Sequence, residues 1–249
     1  ATGHLHTVSW TRAARLGIDG LEHALPTSPD LLEPGARELY LSEFGPNSKY
    51  MYQWFEHVDF DGPLFQELVE TLVENQVELN FNFIVNYLVY NGNEPELLDP
   101  SWDKYSHPDM LAAAKMLRIQ SLAGWTDSDF ERARAVFPKV LEFGKRLHDA
   151  GVPVMIGTDA SGGLPYLAME MGFHVDAGIS EWETLRMATS SAAKILNIDD
   201  RTGQLKQGME ADIVFLNANP LVDMSNVADV NLTLSNGSVY PFLDLSQGG

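Results

Sequence analysis

The sequence predicts an α/β fold built around a parallel sheet, on three observations. Val152-Pro-Val-Met-Ile156 is a continuous apolar run that stops at Gly157-Thr-Asp159-Ala-Ser-Gly-Gly163, as a buried parallel strand does where it meets a loop. Residues 1–25 read as strand, short helix and strand, the rhythm of a tight βα repeat. An amphipathic stretch, Asp127–Gly151, runs directly into the Val152 run, a helix feeding a parallel strand.

In chain order, Ala1–Val8 reads as a strand end. Its His4 and His6, two apart, share one face. Ser9–Leu16 is a short helix capped by Ser9 or Thr11 and ended by Gly17. Ile18–Leu25 is a second short strand closing on His23. Residues 26–75 break the rhythm as an insertion, punctuated by Pro26, Pro29, Pro34, Pro46 and Pro63. Leu64–Val73 is its clear amphipathic helix. Tyr40, Tyr50, Tyr52, Trp54 and Phe55 are expected to pack the insertion onto the body; the sharper alternative is that some line a substrate cleft.

Val77–Val89 is the third strand region, with Asn80, Asn82 and Asn86 on one face at period two. A polar loop carrying Trp102 and Tyr105 follows, then a helix over Asp109–Gln120. In the long helix from Asp127, Phe130, Ala133, Val136, Phe137, Val140 and Phe143 form the apolar stripe. Pro138 is expected to kink or divide that helix. Leu164–Asp176 is helical. Ser180–Leu196 is helical too, with Ser180 and Glu183 as a capping box and Trp182, Leu185, Ala188, Ala192 and Ile195 as the buried stripe. Gly203–Gly208 is a turn-rich boundary. Ala211–Asn217 is a strand, and Val227–Tyr240 holds another, a turn at Asn236-Gly237 and a return. The division is therefore a body over 1–205, with its insertion at 26–75, and a small β-rich segment over 206–249.

A length of 249 residues suits one large domain or a domain plus a small appendage. Lys and Arg number 16 against 35 Asp and Glu, a net charge of −19. That balance argues against nucleic acid, whose affinity comes largely from cationic side chains on phosphates. No stretch approaches the roughly 20 apolar residues of a membrane span. A soluble protein, cytoplasmic or exported, satisfies these limits. With no cysteine, disulfides and thiolate ligands are excluded. Any metal must be held by His, Asp, Glu or a modified side chain.

Three strand ends carry metal-capable residues: His4, His23 and Asp159. Parallel strands bring such positions to one mouth. Two imidazoles and a carboxylate suit Zn²⁺, or less selectively Fe, Co or Mn. Asp159 also has a plain reading as a turn or cap residue. His57, His107, His148 and His174 lack that framing and read as surface or packing residues.

Taken together, Gly3-His4-Leu-His6, Gly17-Ile-Asp-Gly-Leu-Glu-His23, Gly157-Thr-Asp159-Ala, Leu185-Arg-Met-Ala-Thr189, Ala192-Ala-Lys-Ile-Leu196 and Gly208-Met-Glu-Ala-Asp212-Ile-Val resemble the metal-dependent amidohydrolase superfamily. They look most like its prolidase-like and imidazolonepropionase-like branch; residues 26–120 match only loosely. The resemblance implies a (β/α)8 TIM barrel with a small β-sandwich. It would put His4 on the fifth strand, His23 on the sixth and Asp159 on the eighth. It implies that His4, His23 and Asp159 bind metal, that Asp159 is also the catalytic proton acceptor, and that His6 contacts substrate. The family's first-strand His-x-His pair and fourth-strand Lys or Glu have no counterpart before His4. The chain therefore resembles the C-terminal half of such an enzyme, strands five to eight, with a second metal site incomplete in this chain. The implied partner is the N-terminal half of the barrel or a second copy in a homo-oligomer, since a half barrel exposes sheet edges. The implied activity is metal-dependent hydrolysis of a small amide: a dipeptide, an N-acyl amino acid or a cyclic amide. The alternatives are a non-catalytic association module and a mononuclear, deaminase-like enzyme.

Overall fold

The computed structural model describes residues 1–5, 8–45, 48–94, 97, 107–159 and 164–241. Four short strands pair in parallel in the order β1 (Thr2–Gly3), β2 (Gly20–Glu22), β3 (Glu78–Phe81) and β4 (Val154–Ile156). Helices fill every crossover. Helix α1 (Trp10–Arg15) joins β1 to β2. The insertion supplies α2 (Pro34–Glu43), α3 (Tyr50–His57) and α4 (Pro63–Glu74). Between β3 and β4 lie α5 (Phe83–Tyr90), α6 (Pro108–Ser121) and α7 (Asp127–Asp149). After β4 come α8 (Leu164–Asp176), α9 (Glu181–Met187) and α10 (Ser190–Ile195). A second, antiparallel sheet is formed by β5 (Ile213–Leu216), β6 (Val230–Ser235) and β7 (Ser238–Pro241). Asn236 and Gly237 both have positive φ, 48° and 77°, as the tight β6–β7 hairpin requires. Among the described residues the parallel sheet is open, with β1 and β4 at its edges.

The central strands alternate more than a doubly buried strand should. Leu21, Leu79, Phe81 and Val154 are buried, while Glu22, Glu78 and Asn80 point the other way and stay partly exposed. Period-two geometry thus gives the sheet one greasy face and one polar face. On the greasy side everything converges on Phe143 of α7. Its ring lies 5.8–6.3 Å from those of Trp10, Trp54, Phe55, Phe60, Phe65 and Phe81. These rings come from α1, the insertion and β3, so one side chain ties the insertion to the sheet. Tyr40, Tyr52, Trp54 and Phe55 are fully buried, and packing is what they do.

Three local expectations are corrected. Val77–Val89 is not one strand: β3 stops at Phe81, and Phe83–Tyr90 is helical. An apolar run of this length is compatible with either state, and periodicity alone does not separate a buried helix from a buried strand. Asn86 therefore leaves the asparagine face and donates to the Tyr90 hydroxyl at 3.1 Å. Pro138 does not divide α7, which is continuous over 23 residues with the proline inside it. Ser180–Leu196 is two helices, parted at Thr189, whose φ and ψ of −134° and −94° are not helical. The Ser180 hydroxyl does accept from Glu183 N, but Trp182 is 59% exposed, and Thr184, Met187 and Ala193 are the buried residues instead.

The insertion is also pinned by a polar knot. Asp129, at the start of α7, accepts from the Tyr52 hydroxyl at 2.6 Å, from Thr126 N and Oγ1 at 2.7 Å each, and from Lys49 Nζ at 2.9 Å. Burial pushes the Asp129 carboxyl up, but the bonds from Tyr52, Thr126 and Lys49 outweigh it and hold the group below the usual carboxylate range. A depressed folded pKa stabilises above the unfolded value of about 3.9 and is lost as pH falls through the folded one. Asp129→Ala is expected to cost about 3 kcal/mol at pH 7, because it leaves the buried Tyr52 hydroxyl unmet and removes the carboxylate that half-buried Lys49 faces. In denaturant titrations the gap to wild type should shrink below about pH 4; a gap independent of pH would refute the assignment.

Candidate metal centre

The parallel register brings the strand ends together. Gly3 pairs with Leu21, Glu22 with Asn80, and Phe81 with Ile156. Hydrogen bonding runs one residue further, from His23 N to Asn80 O at 2.9 Å and from Gly157 N to Phe81 O at 3.2 Å. His4 follows β1, His23 follows β2, Asn82 follows β3, and Asp159 lies three residues past β4.

His23 is the centre of the group. The His4 and His23 rings meet edge to face with centroids 4.5 Å apart. His23 Nε2 lies 3.9 Å from Asp159 Oδ2. On the other side of the ring, Nδ1 stands 2.7 Å from Asn82 Oδ1. An amide oxygen only accepts, so a proton sits on Nδ1; in the neutral ring Nε2 then turns its lone pair toward Asp159. Helix-start Asn82 and His23 are both buried. Asp159 keeps 65% of its side chain in solvent.

Two of these residues sit on strained backbone. His23 has φ 66° and Asp159 has φ 45°, the left-handed region that L residues avoid. Such strain clusters at sites where chemistry fixes the side chain. Close approach explains Gly157: a Cβ there would collide with Asn80 Oδ1 and come within 2.9 Å of Asn82 Nδ2. Asn80 Nδ2 in turn donates to Glu22 Oε2 at 2.8 Å. A glycine therefore lets β4 lie against the two asparagines, one of which orients His23.

Among the described residues no three His, Cys, Asp or Glu side chains converge tightly enough to hold a metal ion as they stand. The donor chemistry nonetheless fits one. Donors bound tetrahedrally at about 2.0–2.1 Å stand about 3.3 Å apart. The 3.9 Å between His23 and Asp159 exceeds that by about half an ångström, within reach of one rotation of the exposed carboxylate. A ligand imidazole whose second nitrogen is tied back by a fixed acceptor is the usual arrangement around a metal. His6 lies outside the described residues. His57, His107 and His148 lie elsewhere; His174 is fully buried against Glu170.

Sequence reasoning missed Asn82 as the partner of His23, although its place in the asparagine series was visible. It also missed the Glu170–His174 pair behind it. There the signal was a Glu and a His four apart in a mostly apolar helix, in the sequence just after the glycine-rich stretch.

Among the described residues no helix is long and apolar enough to cross a membrane. Comparison with known proteins gives a match to the amidohydrolase family over residues 107–240. An ochratoxinase of Aspergillus niger is 39% identical over 79 residues, covering 30% of this chain and 16% of that protein. The solved structure of a bottromycin amidohydrolase superposes with a TM-score of 0.62 at 17% identity, covering 99% of this chain and 51% of that one. A prolidase solved with N-methylphosphonate-L-proline superposes at 0.57 and 20% identity, covering 96% and 44%. At such identities the structural likeness is one of fold. The chain spans about half or less of the length of each of these proteins.

The strain at Asp159 gives a stability test. Asp159→Gly should be more stable than Asp159→Ala by about 1 kcal/mol, since only glycine is free of the left-handed penalty. Urea denaturation of the two variants decides it; equal stabilities would mean that this backbone carries no strain.

Proposed function

The chain belongs to the amidohydrolase family, and from that premise we propose that it carries the strand-five-to-eight half of a metal-dependent hydrolase of small amides. His4, His23 and Asp159 are the proposed ligands, Asp159 the proposed general base and His6 a proposed substrate contact. The observation that carries the reading is the meeting of His4, His23 and Asp159 at one end of the parallel sheet, with the Nε2 of His23 turned toward the carboxylate.

When bound, a divalent ion such as Zn²⁺ would supply Lewis acidity toward the scissile carbonyl and a water of lowered pKa. The remaining work falls to this chain. Asn82 fixes the His23 tautomer, so that the ring needs no reorganisation to offer Nε2. Asp159, more exposed than His23, would take the proton of the attacking water on a carboxylate oxygen and return it to the leaving amine. The sheet's polar face, with Glu22 and Asn80 joined by a hydrogen bond, would line the barrel interior. The proposed division is a barrel segment over 1–205, interrupted at 26–75, and a β-sandwich segment over 206–249. The proposed partner is the other half of the barrel or a second copy, added at the open edges β1 and β4.

The ochratoxinase and prolidase likenesses support amide hydrolysis, with dipeptides, N-acyl amino acids and cyclic amides as the substrate classes to screen. A one-metal, deaminase-like variant draws on the donor set itself, since two imidazoles and one carboxylate suffice for a single ion.

Asp159→Asn in the intact protein is expected to lower turnover of the best amide substrate by about 10²- to 10⁴-fold. Metal analysis of the same samples counts the ions and separates the one- and two-metal readings. Undiminished turnover by Asp159→Asn would overturn the proposal.

A further inference from the structure

Behind the strand ends lies a second carboxylate–histidine pair. Glu170 and His174, one turn apart on α8, are both fully buried, with His174 Nε2 3.1 Å from Glu170 Oε1. Glu170 does not end at His174. Its Oε1 accepts from Phe83 N at 3.0 Å, and its Oε2 accepts from Ile84 N at 2.7 Å. These are the first two backbone amides of α5. The His174 ring also packs on Phe83, with centroids 4.8 Å apart.

The residue ahead of those amides is Asn82. It occupies the N-cap of α5 yet makes no side-chain cap hydrogen bond. An asparagine at that position ordinarily turns its amide oxygen onto the second or third backbone N–H of its own helix. Here the oxygen is spent on His23 Nδ1, 59 residues away in sequence. Two acceptors and two tasks have been exchanged between elements. The helix start is capped from α8 by Glu170, which also places a negative charge at the positive end of α5. The local capping residue is thereby released to hold the imidazole.

Resting on the reading of His23 as a ligand, we propose that Glu170, braced by His174, is a positioning residue for His23, acting through Asn82. Without Glu170, the orphaned amide of Ile84, the second of α5, competes for the Asn82 oxygen. Once Asn82 caps its own helix, nothing obliges the proton of His23 to stay on Nδ1. A role in stability alone would leave the tautomer of His23 untouched.

The test uses the intact, metal-free protein and nitrogen–proton correlation spectra of its imidazoles. His23 is expected as the single Nδ1–H tautomer in wild type. It is expected as a mixture in Glu170→Gln, where an NH2 group replaces one accepting oxygen, and to a lesser degree in His174→Gln. Asn82→Ala should produce the same mixture, and Glu170→Gln added to Asn82→Ala should change it no further, because both act on one bond. With Zn²⁺ alone as the probe, Glu170→Gln and Asn82→Ala should each weaken binding by about 10- to 100-fold. If one variant fails to fold by circular dichroism, the tautomer in the other decides. A folded Glu170→Gln or His174→Gln protein in which His23 remains wholly Nδ1–H overturns the proposal. Failure of wild type to bind Zn²⁺, with the tautomer shift still present, would instead sink the metal-site reading and leave the positioning role standing.

Discussion

Everything at the candidate site follows from the register of four short parallel strands. Each strand contributes only two to four paired residues, so the ends fall within a few residues of one another. A slip of one residue in β2 would send His23 to the opposite face and bring Leu21 out of the core. Burial of Leu21 and Leu79 against the helices therefore does two things at once. It stabilises the sheet, and it fixes which side chains reach the rim.

That register is braced from the helical side. Phe143 joins α1, the insertion and β3 through six aromatic neighbours. Large buried rings of this kind contribute most to a core and tolerate truncation least. The insertion, which interrupts the βα rhythm in sequence, is thus part of the foundation of the sheet. From the far side of β3, Glu170 anchors the start of α5. Asn82 is therefore held between a strand and a helix, neither of which can shift alone.

What the sequence made legible was what depends on local pattern. The strand–helix–strand opening, the strand before Asp159, the helix from Leu164 and the hairpin at Asn236-Gly237 all announce themselves through periodicity or turn chemistry. His4, His23 and Asp159 could be singled out as candidates from their places at expected strand ends, and the structure brings them near one another. The stretch after Phe81 was not legible, since a short apolar run without alternation reads equally well as strand or helix. Nor was the break at Thr189, because Ala-Thr-Ser-Ser-Ala is compatible with a continuous helix. The His23–Asn82 and Glu170–Phe83 contacts span 59 and 87 residues. No local pattern encodes such a pairing; it exists only after the sheet and α8 have packed.

The strain at His23 and Asp159 follows from the same arrangement. A non-glycine residue held at positive φ costs of order 1–3 kcal/mol, a sizeable share of the 5–15 kcal/mol that a domain has in hand. Neither residue would adopt it unaided. For His23 the conformation is over-determined: its backbone N–H is bound to Asn80 O on β3 and its ring to Asn82, which caps α5 directly after that strand. Relaxing φ at His23 would break both bonds and leave buried polar groups unmet, at about 1–3 kcal/mol each. The strained geometry is thus the lower of two costs, and the lone pair of Nε2 is kept at the sheet's rim by hydrogen bonding in the surrounding fold. The rigidity of the candidate site resides in asparagines outside the candidate donor set.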